Sequence, residues 1–361
     1  MTGSLAAIRA LGLARATPLS LHLELTYRCN ARCEHCLQDR GVKHRELDLG
    51  EWKAVLESGR RLGVLFVSIS GGEALLSPHF WGVAEHARKL GYAVRVYSNG
   101  LRLDRPTVKR LAALAPFAVE ISIFSLESAR HDAVLRVPGS LSRTIRGLVM
   151  LRRAGVHTVL KCPLLAGTAG DHARVRALAN RLGSGIVFDP SIFTAMDGSS
   201  GPTRCRGDDH ALEAFFAEGD MNRPASGVRP PPRAMDSATC GMARTFAVIG
   251  PDGEVRPCVA MELSAGNVRD APLEQVWRES PVMLRLRSRT HGTLSTCGSC
   301  ERSGYCDRCS ALALHEDGDL DGPSSRACHI AELREKAWGL PPPPGAPPPG
   351  GRPRKALRVL G

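Results

Sequence analysis

Three cysteines in one short stretch, Cys29-Asn-Ala-Arg-Cys33-Glu-His-Cys36, are the residues of this chain best suited to do chemistry. Three residues separate the first pair and two the second, so a single loop can wrap three corners of an iron–sulfur cube, whose irons prefer thiolate ligands. Such a clip leaves one iron open to a further ligand. A zinc site or redox thiols are the other chemistries this stretch allows. A structural zinc is normally closed by four ligands, however, and His35 lies too close to its neighbours to be a good fourth.

Seven more cysteines fall late in the chain: Cys240, Cys258, Cys297, Cys300, Cys306, Cys309 and Cys328. Cys240 is followed by twelve residues, Gly253, four residues and Cys258; a long gap then leads to the tight set from 297 to 309. Two closely spaced pairs are also a zinc signature, but seven thiols exceed what one zinc needs. Cys162 and Cys205 match no ligand spacing, and a lone cysteine is usually a small buried apolar residue. Twelve cysteines in a chain with no signal peptide argue against a disulfide framework, because a reducing cytosol favours thiols that bind metal or do chemistry.

The elements that must position these residues are legible as alternating runs. Strand candidates lie at 21–26, 65–70, 93–98, 118–123, 158–162 and 185–190, and helix candidates between them at 49–62, 79–90, 105–115, 140–154 and 171–182. Repeated β–α units predict an α/β fold with a parallel sheet, here a partial (β/α)6 TIM-like barrel over residues 20–219. In such barrels chemistry sits in the loops after the strands. Cys29 to Cys36 follow the first strand, Ser70-Gly71-Gly72-Glu73 the second and Ser98-Asn99-Gly100 the third; Ser122 and Lys161 end the fourth and fifth. Asp189, after the sixth, reads as a surface or loop-capping acid. Residues 1–19 form an N-terminal segment and 220–239, rich in proline, a linker. A small cysteine-rich domain is expected over 240–335 and a disordered Pro/Gly-rich tail over 340–361.

At 361 residues and 43% apolar, the chain is long enough to bury a substantial core. Its net charge of +12 is spread along the sequence without a basic block, so nucleic acid is not an expected partner. No apolar run is long enough to cross a bilayer and the N-terminus reads as uncleaved, which together predict a cytoplasmic protein with no membrane attachment.

The cysteine spacing, its place after a first strand and the Gly-Gly-Glu after the second resemble the radical S-adenosylmethionine superfamily. The resemblance implies that the open iron of a [4Fe–4S] cluster is chelated by the amino and carboxylate groups of S-adenosylmethionine. An electron from the cluster then cleaves the sulfonium to release a 5′-deoxyadenosyl radical. Carried over, Cys29, Cys33 and Cys36 are the cluster ligands, and His35 stands where the family often has an aromatic side chain against the adenine. Gly71, Gly72 and Glu73 bind the methionine amino group, with glycine allowing close backbone approach and the carboxylate accepting from the ammonium. Asn99 and Ser122 occupy positions of cofactor contacts. In Ile121-Ser122-Ile123-Phe124-Ser125 the sequence departs from the family, which has an aspartate and a glycine where Phe124 and Ser125 stand. His131-Asp132 and Val137-Pro138-Gly139-Ser140 match the pattern of peptide-modifying members.

The late cysteines resemble the SPASM extension of that superfamily, which holds two auxiliary [4Fe–4S] clusters. By that likeness Cys297, Cys300, Cys306 and Cys328 bind one cluster. Cys240, Cys258 and Cys309 bind the other, with its fourth ligand unassigned; Cys309 follows Cys306 after two residues where three are usual. The metals would also contribute folding energy to this poorly periodic region.

The resemblance thus implies a maturase that oxidises a side chain of a ribosomally made peptide or protein, for instance to form a crosslink. It would draw on a flavodoxin- or ferredoxin-type electron donor. With about twenty residues before the first strand, leader recognition is expected from a separate protein. Beyond the radical cluster no catalytic side chain is singled out. A small molecule, a sulfatase-type protein target and a tRNA remain alternative substrates. A non-catalytic electron-transfer or zinc-binding module is the alternative from another class, and it would leave Glu73 without a purpose.

Overall fold

The computed structural model describes residues 2–38, 45–218 and 220–341, so the expected disordered tail lies outside the described residues from 342 onward. A first helix, α1 (Thr2–Arg15), leads into six strands with intervening helices. These are β1 (Ser20–Glu24), α2 (Leu49–Arg61), β2 (Phe66–Ser70), α3 (Phe80–Lys89), β3 (Ala93–Ser98), α4 (Arg105–Leu114) and β4 (Ala118–Ser122). They continue with α5 (Ser128–Leu135), α6 (Ser140–Arg153), β5 (Thr158–Pro163), α7 (His172–Leu182), β6 (Gly185–Asp189) and α8 (Asp209–Glu218). All six strands pair in parallel in the order β6-β5-β4-β3-β2-β1, which is the expected partial (β/α)6 barrel.

The sheet does not stop at β1. A seventh strand, β7 (Phe246–Ile249), pairs in parallel with β1, Leu21 opposite Ala247, and carries the antiparallel β8 (Glu254–Arg256) and β9 (Gly266–Asn267) on its far side. Residues that read as a separate cysteine-rich region therefore extend the barrel sheet to nine strands and keep it open. The described residues close with α9 (Leu273–Glu279), α10 (Pro281–Arg287), α11 (Ser310–Asp317) and α12 (Ser325–Trp338).

Local chemistry sets the helix starts. Asp48 and Glu51 form a reciprocal capping box at α2, Asp104 caps α4 ahead of Pro106, and Ser324 caps α12 through the Ala327 amide. One face of each barrel strand buries Leu21, Leu23, Val67, Ile69, Val94, Val96, Val119, Ile121 and Leu160 in a core shared with Trp52, Leu56, Phe80 and Leu148 of the helices. The opposite, concave face is polar: His22 and Glu24, Ser68 and Ser70, Arg95 and Tyr97, Glu120 and Ser122, then Lys161.

Candidate functional site

The ends of β1, β2 and β3 are laced together around Cys29. The Leu25 amide donates to Ser70 O at 3.0 Å, the Gly72 amide to Thr26 O at 2.7 Å and the Glu73 amide to Arg28 O at 2.9 Å. Gly71 has φ +131°, and a Cβ there would collide with the Thr26 carbonyl oxygen; one on Gly72 would lie 2.5 Å from Arg28 O. Only glycine therefore lets the second loop run against the first. Glu73 is buried, and its carboxylate accepts from Ser98 Oγ at 2.9 Å, the Asn99 amide at 2.8 Å and the Leu75 amide at 3.3 Å. Burial pushes its pKa up while those donors pull it down. Asn99 Nδ2 in turn donates to Asn30 Oδ1 at 2.8 Å and to Cys29 Sγ at 3.8 Å, and the Ala31 amide donates to the same sulfur at 3.4 Å. Cysteine sulfurs that accept such donors are typical of a tuned iron–sulfur site.

Behind the loop sits the residue that departs from the family pattern. Phe124 is 1% exposed and packs with Ala31, Leu135, Leu165 and Ile192, with Cys29 and Cys33 against the edge of that cluster. Its ring lies 5.0 Å from His35, edge to face, and 5.5 Å from His131. The Phe124 amide donates to His131 Nδ1 at 3.4 Å, and burial pushes His131 down to about 4. Asp132 accepts from Gly139 N, Ser140 Oγ and Leu141 N, which is the physical content of the His131-Asp132 and Val137–Ser140 motif: one carboxylate ties α5 to the start of α6. Ser122 ends β4 half-buried, level with Lys161. Cys36 opens onto a cavity of about 450 Å³ shared with Glu34, Leu165, Ala195, Arg204 and Cys205, with the Glu34–Arg136 pair beside it at 2.9 Å.

Sequence reasoning named Lys161 at the end of the fifth strand but passed over Arg95, Tyr97 and Glu120, which share the polar lining of the barrel with it. Lys161 Nζ lies 3.7 Å and Arg95 Nε 4.0 Å from the Glu120 carboxylate, and Tyr97, level with Glu120, packs its ring against His22 at 5.6 Å. Burial pushes His22 down and, with the nearby Glu120 carboxylate, Tyr97 up to about 12. Asp189 ends β6 exposed and accepts from the Ser191 amide at 2.8 Å, the surface, loop-capping role its position suggests. A signal for this face existed. Parallel strands buried on both faces read as continuous apolar runs, whereas these carry a polar residue at every second position.

Under the thiol loop, Glu24 of β1 and Arg256 of β8 form an ion pair, 2% and 5% exposed, with Gln38 Nε2 donating to the second Glu24 oxygen at 3.2 Å. This pair fastens the barrel to the late cysteines. Those divide into two groups. Cys258 senses both Cys309 and Cys240, while Cys306 senses Cys328, Cys297 and Cys300. Local turns account for the second set: the Cys300 amide donates to Cys297 O at 3.2 Å, Cys306 follows the turn Glu301–Tyr305, and Cys328 lies in the first turn of α12. Burial pushes Cys258 and Cys306 up to about 12, so thiolates there need a metal cation to hold them ionised. Among the described residues no three His, Cys, Asp or Glu side chains converge tightly enough for a single metal ion, as a tetrahedral zinc would require. None of the twelve cysteines is in a disulfide.

An open parallel barrel with a strand-end thiol loop and a cysteine-rich extension defines a radical-cluster enzyme class. Comparison with known proteins gives the family. The radical SAM superfamily model matches residues 23–174 and the SPASM iron–sulfur cluster-binding domain model residues 240–301, together more than half of the chain. The chain belongs to the radical SAM superfamily and carries a SPASM domain; it is an enzyme whose cofactors are [4Fe–4S] clusters and S-adenosylmethionine. It is 29% identical to the PqqA peptide cyclase of Gluconobacter oxydans over 322 residues, 82% of this chain and 87% of that protein. It is equally 29% identical to the mycofactocin maturase MftC of Mycobacterium ulcerans over 334 residues, 85% of this chain and 86% of that one. The fold is shared with Streptococcus suis SuiB bound to its precursor peptide SuiA, with TM-score 0.68, 16% identity, and 89% of this chain and 78% of that chain covered. It is shared also with anSMEcpe bound to AdoMet and a peptide, with TM-score 0.68, 17% identity, and 89% and 96% covered. No helix among the described residues is long and apolar enough to cross a membrane.

Proposed function

We propose that this enzyme oxidises a side chain of a ribosomally made peptide or protein, forming a crosslink, with the radical generated at Cys29, Cys33 and Cys36. The observation that carries the reading is the convergence of the Gly71-Gly72-Glu73 loop and Asn99 on Cys29. When bound, the cluster and S-adenosylmethionine supply reductive cleavage of the sulfonium and a 5′-deoxyadenosyl radical that abstracts hydrogen. The residues of the chain supply the rest. Gly71 and Gly72 let backbone polar groups approach the methionine end of the cofactor, Glu73 holds that loop to β3, and His35, steadied edge-on by Phe124, offers its face to the adenine. Asn99 and Ser122 add polar contacts at the strand ends. Tyr97, Glu120 and Lys161 line the interior where a substrate side chain is oriented and water excluded.

The peptide substrate is supported by two relatives named for peptide cyclisation and maturation and by folds solved with peptides bound. In the same proposal Cys297, Cys300, Cys306 and Cys328 hold one auxiliary cluster and Cys240, Cys258 and Cys309 the other, as their mutual electrostatic grouping supports. A one-electron donor of flavodoxin or ferredoxin type, a separate leader-binding protein and a cytoplasmic setting complete it. Anaerobic incubation with S-adenosylmethionine, reductant and a candidate precursor peptide tests the reading by mass spectrometry. A product lighter by two hydrogens is expected. Formation of 5′-deoxyadenosine with the peptide mass unchanged would refute the peptide assignment.

A further inference from the structure

Two neighbouring helices of the barrel carry cations and no carboxylate. α4 reads RPTVKRLAAL and α6 reads SLSRTIRGLVMLRR, with arginine or lysine at seven positions and neither aspartate nor glutamate. Gly147 of α6 is pressed on Leu103, just ahead of α4: a Cβ added there would lie 2.7 Å from that of Leu103. Arg143, one turn before Gly147, shares its flank. Arg105 and Lys109, four residues apart, share a flank of α4, while Arg110 pairs with Glu85 of α3 at 2.8 Å. With Arg102 in the loop before α4 and Arg146 one turn along α6, charge that is spread in the sequence gathers in space. Arg102, Arg105, Lys109, Arg143 and Arg146 are all exposed.

Elsewhere arginines are laced to carboxylates, as Arg206 is to Glu316 and Arg302 to Glu332 and Glu335. Beside the patch the carboxylates are already engaged. Asp104 caps α4 through the Thr107 amide at 2.9 Å, and Asp132 accepts from Gly139, Ser140 and Leu141. Arg143 donates only to the Gly139 and Pro138 carbonyls, and among the described residues none of the five cations stands in an ion pair. Like charges left unpaired on one surface repel each other and attract an anionic partner.

The patch lies one layer from the thiol loop. Thr144, next to Arg143, donates its hydroxyl to Asn99 O at 3.2 Å, and Asn99 Nδ2 donates to Cys29 Sγ at 3.8 Å. Gly100 lies on the same threonine, where a Cβ would sit 3.1 Å from Thr144 Cγ2. Two hydrogen bonds thus join the base of the patch to the first thiol of the clip.

We propose that Arg102, Arg105, Lys109, Arg143 and Arg146 form the docking surface for an acidic one-electron carrier protein, whose electron reaches the cluster at Cys29, Cys33 and Cys36 by way of Thr144 and Asn99. This rests on the radical-cluster reading above. In the transfer the carrier is oxidised by one electron and the cluster reduced by one, and no bond is made or broken. Nucleic acid suits the patch less well, since α4 and α6 hold no aromatic side chain on which a base could stack.

The test compares the reconstituted full-length enzyme, at matched iron content, with the triple variant Arg105→Gln, Arg143→Gln, Arg146→Gln. Calorimetry measures binding of oxidised flavodoxin and oxidised ferredoxin, both acidic, over a range of salt. Formation of 5′-deoxyadenosine is followed with each reduced carrier and, separately, with dithionite. At least one carrier should bind the parent with an affinity that falls as salt rises. In the triple variant that binding weakens on the order of tenfold, its salt dependence flattens, and cleavage at sub-saturating carrier slows to match. The dithionite-driven rate is unchanged. Lysine at the same three positions keeps the charge and should preserve parent binding. Carrier binding unaltered in the glutamine variant, a dithionite rate that falls in step with the carrier rate, or a parent that binds neither carrier yet cleaves with dithionite would overturn the proposal. So would a variant whose one loss is affinity for added tRNA. A parent that cleaves no S-adenosylmethionine even with dithionite would instead refute the radical-cluster reading beneath it.

Discussion

Replacing Arg256 with methionine should be among the most damaging single changes outside the cluster ligands. The guanidinium and the Glu24 carboxylate are 5% and 2% exposed, so removing the cation strands a buried charge at the junction of β1 and β8. Breaking such a pair from one side costs about 3–5 kcal/mol, a large share of the roughly 5–15 kcal/mol that holds a domain folded. Tyr27 Oη and Gln38 Nε2 remain beside Glu24 at 3.4 and 3.2 Å, and as neutral groups they offset only part of that cost. Replacing both members, Glu24→Leu with Arg256→Met, removes the two desolvation penalties together and should restore all but about 1 kcal/mol, or exceed the parent. Urea unfolding at matched iron content, followed by tryptophan fluorescence, measures the four proteins of the cycle. The reasoning fails if Arg256→Met costs under about 1 kcal/mol, or if the double variant loses the sum of the two single losses.

Other expectations follow from the same geometry. Gly71→Ala places a Cβ against the Thr26 carbonyl at φ +131° and should abolish 5′-deoxyadenosine formation while leaving the three loop cysteines in place, so retained iron with no cleavage is the expected pattern. The triple variant Cys29→Ala, Cys33→Ala, Cys36→Ala should lose one third of the iron and all cofactor cleavage; one zinc and no iron in the parent would defeat the cluster reading. His131 is fully buried and held down near 4 from an ordinary 6.5, so its stabilising effect is present above pH 6.5 and lost as pH falls toward 4. Between pH 7 and 5.5 the parent should lose about 1 kcal/mol of stability that His131→Gln does not lose, and parallel pH profiles for the two proteins would contradict the assignment.

Much of the site was legible because its determinants are local. The thiol spacing, the two glycines and Glu73 sit in strand-end loops, and the strands were marked by periodicity alone. Other features depended on partners far away in the chain. The pairing of β7 with β1 joins residues about 225 positions apart, so the late region read as separate when it shares the barrel sheet. Helices α1, α5 and α8 were not anticipated. Nor were Glu120 and Tyr97, which with Lys161 line the barrel across three strands, although the every-second-residue pattern was visible.

What the sequence offered by itself was a chemistry: three thiols spaced as a three-point clip, a loop that calls for glycine, and seven late cysteines whose spacing resembles an iron–sulfur extension. Ligand type and short-range spacing are properties of adjacent residues and need no fold to be read. Only the tertiary structure decided the electrostatics in which that chemistry runs. It turned Phe124 from a departure in a motif into the packing behind the loop and brought Arg256 under β1 beside Glu24. Burial and charge pairing are sums over residues distant in sequence. A cation's effect on a thiolate is set by the space between them, and folding alone creates that space.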